Sequence, residues 1–129
     1  MSREEIRVAG LAEPISHFTD AVRAGDLLFL SGIVAVDGEG TLVGDDDVVA
    51  QARQVFANLG VVLEAAGCSF ADVVKVTVFL TDVDDRPRIN PIRQEVFGAA
   101  RPASTLVEVP RLAVPGARIE VEAVALCPR

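Results

Sequence analysis

The sequence has neither tryptophan nor tyrosine, and only one histidine and one methionine. Six phenylalanines are therefore the only rings available to stack on nucleic-acid bases, and a net charge of −7 repels phosphate. Both features disfavour a nucleic-acid partner. Cysteine is scarce too. Cys68 and Cys127 match no metal or redox spacing, and with one histidine they make no zinc set. The expectation is no metal and two reduced thiols in a cytoplasmic protein. Long apolar runs are also missing: none approaches the ~20 residues that span a bilayer. The segment Met1 to Gly10 carries two arginines and two glutamates and no apolar stretch, unlike a signal peptide. No membrane partner is expected.

What is present is core material. Half of the 129 residues are apolar, enough to fill one domain of the usual ~100–150 residues, assigned here to residues 1–129. After an extended start, Asp26–Val36 is apolar on both alternating faces and reads as a strand covered on both sides. Asp37-Gly38-Glu39-Gly40 is a turn. Asp45, Asp46 and Asp47 supply carboxylates at a helix N-terminus. Val48, Ala52, Val55, Leu59, Val62 and Ala66 then recur at helical spacing, and Gly67 ends the element. Ala71–Thr81 alternates as a strand, with Val74, Val76, Val78 and Leu80 on its apolar side. A second helix is predicted over Arg88–Gly98, and strands over Ser104–Pro110 and Arg118–Leu126.

Two helices cover only one face of a sheet. The other face would carry Thr77, Phe79, Val107, Val109, Glu120 and Glu122. It is too apolar to stay wet yet holds carboxylates, so it is expected to pack on another copy with polar residues at the cleft.

Four tracts carry a family resemblance: His17–Gly32, Ala71–Asp85, Ile89–Gly98 and Arg101–Leu126. In order and spacing they resemble the RidA (YjgF) family of imine and enamine deaminases. The resemblance implies a chorismate-mutase-like α+β fold with two helices on one face of a mixed sheet. It also implies a homotrimer with clefts between subunits, a small carboxylate-bearing imine or enamine as substrate, and no cofactor. By the same resemblance Glu120 corresponds to the glutamate near the attacking water, Ser31 and Gly32 to the cleft lining, and Asn90 to the asparagine of the second helix. Phe18 stands where the family has tyrosine. The family's Pro-Ala-Arg reads Pro102-Ala103-Ser104, so the arginine that grips the substrate carboxylate is replaced.

Ser104 and Thr105 are candidate hydrogen-bond donors to that carboxylate, and Arg101 and Arg93 candidate substitute cations, although a surface arginine is the plainer reading of both. His17, beside Phe18, is a candidate proton donor. Lys75, the sole lysine, is more simply a snorkelling strand residue than a Schiff-base amine. The variant tract is similar to the branch containing 2-aminomuconate deaminases, which implies an extended dicarboxylate enamine as substrate. The alternative is a trimer of the same fold that binds a small metabolite without turnover.

Overall fold

A computed structural model describes residues 2–128. Six strands, β1 (Arg3–Ile6), β2 (Ala21–Ala24), β3 (Leu27–Ile33), β4 (Val73–Leu80), β5 (Ala103–Glu108) and β6 (Ile119–Leu126), form one sheet in the order β1-β2-β3-β6-β4-β5. All neighbours are antiparallel except β4 and β5. Helices α1 (Val48–Ala66) and α2 (Arg86–Phe97) share a single buried cluster with the inward residues of β3, β4 and β6. The expected α+β class, with two helices on one face of a mixed sheet, is observed.

Helix α1 begins at Asp47, whose carboxylate accepts from the Val49 and Ala50 amides at 3.0 and 3.1 Å. It ends at Gly67, whose φ of 86° is the left-handed conformation glycine adopts without strain. Its stripe, from Val48 through Ala52, Val55, Leu59 and Val62, is fully or almost fully buried. Helix α2 starts two residues earlier than expected and buries Ile89, Ile92 and Phe97. The Phe97 ring meets Phe56 and Phe70 edge-on, at centroid distances of 5.9 and 5.5 Å.

Three expectations are corrected. The extended start contains two short strands, β1 and β2, paired along a hairpin register from Arg3↔Ala24 to Ile6↔Ala21. Strand β4 does not alternate cleanly: its pairing with β6 shifts between Val73 and Lys75, so Val73 turns inward and Val74 is 47% exposed. Strand β3 is covered on one face only within a chain. Leu28 and Leu30 are buried, whereas Leu27 and Phe29 are 38% and 44% exposed. Among the described residues no helix is long and apolar enough to cross a membrane.

Candidate active site

Strand pairing divides the expected site residues between two faces. Glu120 on β6 lies opposite Phe79 on β4, on the face without helices. Ser104 on β5 lies opposite Val76, which is fully buried beneath the helices. Directly opposed residues share a face, so in one chain Glu120 and Ser104 point to opposite sides of the sheet.

Glu120 opens on a cavity of about 390 Å³. Phe18, Ser31 and Gly32 line it, together with Ile33, Val34 and Val62. Gly32 sits where β3 slips register against β6, between Leu30 and Ile33. A Cβ there would stand 2.5 Å from Glu120 Oε2, so the carboxylate lies directly over the glycine backbone. Burial pushes the Glu120 carboxyl above the ordinary glutamate range, and the like charge of Glu122 adds to the rise.

The outer wall is the segment between β1 and β2. Arg7 pins it, donating to the Leu11 and Ala12 carbonyls at 2.9 and 3.0 Å and to Asp20 Oδ2 at 2.8 Å. Ser31 ties it to the sheet: its hydroxyl donates to the Thr19 carbonyl at 2.5 Å and its amide to the Asp20 carbonyl at 3.0 Å. The Ser31 hydroxyl is thereby committed to a structural bond. Asn58, buried on α1, donates to the Val36 carbonyl at 2.8 Å and closes the floor. Buried Gln51 donates to the Gly44 and Gly116 carbonyls at 3.0 and 3.1 Å and fixes the loop that carries the lining residues Ala113 and Val114.

Asn90 and Ser104 line a second depression, of about 440 Å³, at the junction of α2 and β5. Arg93 Nη2 donates to Ser104 Oγ at 2.8 Å there. The remaining candidates line neither depression. His17 is exposed, between Ser16 and Phe18, which do line the first cavity. Arg101 is exposed. Thr105 accepts from Lys75 Nζ at 2.7 Å, which gives that lysine a hydroxyl partner on the open face. Asp20, Asn58 and Arg86 carry no local sequence signal, because their places come from contacts between distant segments. Among the described residues no three His, Cys, Asp or Glu side chains gather as a metal set.

A family model described as Endoribonuclease L-PSP matches residues 10–127. The chain belongs to that family, the RidA/YjgF proteins. A human RidA-family relative, named 2-iminobutanoate/2-iminopropanoate deaminase, is 35% identical over 96% of this chain and 90% of its own length. A RutC family protein of Pyrococcus horikoshii is 39% identical over 95% of this chain and 97% of its own. The solved structure of RidA from an Antarctic Psychrobacter superposes with a TM-score of 0.88 at 31% identity, covering 95% of this chain and 98% of that one. The RidA-type fold expected from the four sequence tracts is therefore the observed one.

Proposed function

We propose that this RidA-family chain is a hydrolytic deaminase of small carboxylate-bearing imines and enamines, working in the cytoplasm at clefts between the subunits of a homotrimer. The observation that carries the reading is Glu120: a partly desolvated carboxylate held over the Gly32 backbone at the mouth of a largely apolar cavity. Such a base takes a proton from water as the water oxygen bonds to the imine carbon. The imine nitrogen gains a proton, giving a carbinolamine. Glu120 then gives its proton to the amino nitrogen, the C–N bond breaks and ammonia leaves; the carbinolamine hydroxyl returns its proton to solvent, balancing the solvent proton taken up by the imine nitrogen, and a ketone remains. A positioned general base contributes roughly 10²–10⁴-fold.

The division of residues between two faces supports a shared site. Glu120, Phe18, Ser31 and Gly32 of one copy would meet Asn90, Ser104 and Arg93 of the next. The exposed apolar residues Leu27, Phe29 and Val107 on the open face support self-association. The human and mouse relatives, named 2-iminobutanoate/2-iminopropanoate deaminases, favour 2-imino acids with short side chains as substrates. 2-Aminomuconate, the finer expectation from the sequence, is proposed only as one extended member of the same class. The ribonuclease in the family description suits this chain less well, given its acidic charge and a sole histidine outside both depressions.

The test is ammonia release from 2-imino acids generated in situ, with 2-aminomuconate assayed alongside. Wild type accelerates release above the buffer rate, and Glu120→Gln loses about 10²–10⁴-fold. Release at the buffer rate for every substrate sinks the deaminase reading. The non-catalytic alternative, favoured by Ser104 in place of arginine and by the missing phenol at Phe18, predicts that outcome together with retained binding. Sedimentation at micromolar concentration tests the trimer, and a compact monomer refutes it.

A further inference from the structure

Helix α2 carries Arg86, Asn90 and Arg93 at spacings of four and three, which sets them on one helix face. That face borders the second depression, completed by Pro87, Pro91, Ser104 and Leu106. No carboxylate lines it, although the chain has 19 acidic residues against 12 basic ones. Elsewhere Arg7, Arg23, Arg53, Arg88 and Arg118 each pair with a carboxylate. Among the described residues Arg86 and Arg93 form no ion pair.

Arg93 is also desolvated, and burial pushes its pKa down. Its hydrogen bond to Ser104 Oγ aims the guanidinium without neutralising it. A half-buried cation lacking a counter-charge is costly, and an anion that supplies two parallel acceptors relieves that cost. The ligand this face fits is a carboxylate.

We infer that Arg93, oriented by Ser104, binds the substrate's carboxylate in this chain, and that Arg86, two turns away on the same face, selects substrates bearing a second carboxylate. This rests on the deaminase reading for the identity of the substrate but not for the binding itself. Where the family resemblance implies an arginine on the strand, this chain has Ser104, and the guanidinium that Ser104 orients comes from the helix. A dicarboxylic imino acid spans the two guanidiniums, whereas a monocarboxylic one uses Arg93 alone.

The test is calorimetric titration of the intact protein with 2-oxobutanoate and 2-oxoglutarate, stable products of such hydrolyses. Wild type binds 2-oxoglutarate more tightly. Arg93→Ala weakens both ligands, on the order of 10–100-fold, and Arg86→Ala abolishes only the preference. The double variant Arg93→Ala/Ser104→Arg recovers 2-oxobutanoate binding, which separates a lost anchor from a damaged fold, and melting curves check the fold independently. In turnover, Arg93→Ala raises KM far more than it lowers kcat. Wild-type affinity in a folded Arg93→Ala protein, or no binding of either ligand by wild type, overturns the anchor. Equal affinities for the two ligands overturn the dicarboxylate preference. Binding through Arg93 without ammonia release sinks the deaminase reading and leaves the anchor standing.

Discussion

The two depressions differ in almost every physical respect. The one at Glu120 is largely apolar, walled by a loop that Arg7 pins, and holds a carboxylate whose pKa burial has raised. The one on α2 has two unpaired arginines and no acid. One is suited to moving a proton and the other to holding an anion. Glu120 and Ser104, one from each, lie on opposite faces of the sheet, and under the proposed reading a substrate that needs both sits between two copies of the chain.

The largest effect expected is the loss of 10²–10⁴-fold in Glu120→Gln already described, confined to the proton-moving half. A contrast between adjacent residues of β3 comes next. Leu28 is fully buried under the helices, and Leu28→Ala lowers unfolding free energy by about 2–5 kcal/mol in chemical denaturation. Phe29, on the open face, should behave differently: Phe29→Ala leaves the chain folded but shifts sedimentation toward smaller species. Equal loss of stability in both would abolish the distinction between the faces.

Gly32→Ala probes the geometry of the Glu120 half. The new methyl meets the end of a flexible side chain, so the melting temperature changes little while the carboxylate is displaced. A misplacement of that size costs up to ~10²-fold in turnover. Unchanged kcat would show that Glu120 does not act from its position over residue 32.

The smallest effect is on pH dependence. A base must be ionised to act, so activity is present above the Glu120 pKa and lost as pH falls through it. With that pKa raised, the acidic limb lies above that of an ordinary glutamate, and Glu122→Gln, by removing the like charge, moves it down. The folded state also binds this proton more tightly than the unfolded chain, so stability falls as pH rises through the raised value. Glu120→Gln therefore melts somewhat higher than wild type at neutral pH.

Helix α1 was fully legible in the sequence because its stripe, its Asp47 cap and its Gly67 stop are local signals. The positions of β3, β4, β5 and β6 were legible for the same reason. The β4 bulge was not: nothing in Val73-Val74-Lys75 announces that the register against β6 slips, since the slip belongs to the partner strand as well. β1 and β2, four residues each, are too short to display a period. Within the site, Glu120 could be singled out only through the family tracts, for a strand glutamate by spacing alone is solvent-facing. Arg93 read as a surface arginine because its meaning depends on Ser104, eleven residues away on a different element.

The opposed faces of the sheet also bear on how variants combine. Under the proposed reading, a chain that carries half of a site on each side contributes to two sites and completes neither. Glu120→Gln and Arg93→Ala chains are then each impaired for a different reason, and each keeps the half that the other lacks. Unfolded together and refolded as mixed assemblies, they should regain activity that neither shows alone, because some clefts will pair a sound Glu120 with a sound Arg93. Defects placed in the same half should show no such complementation.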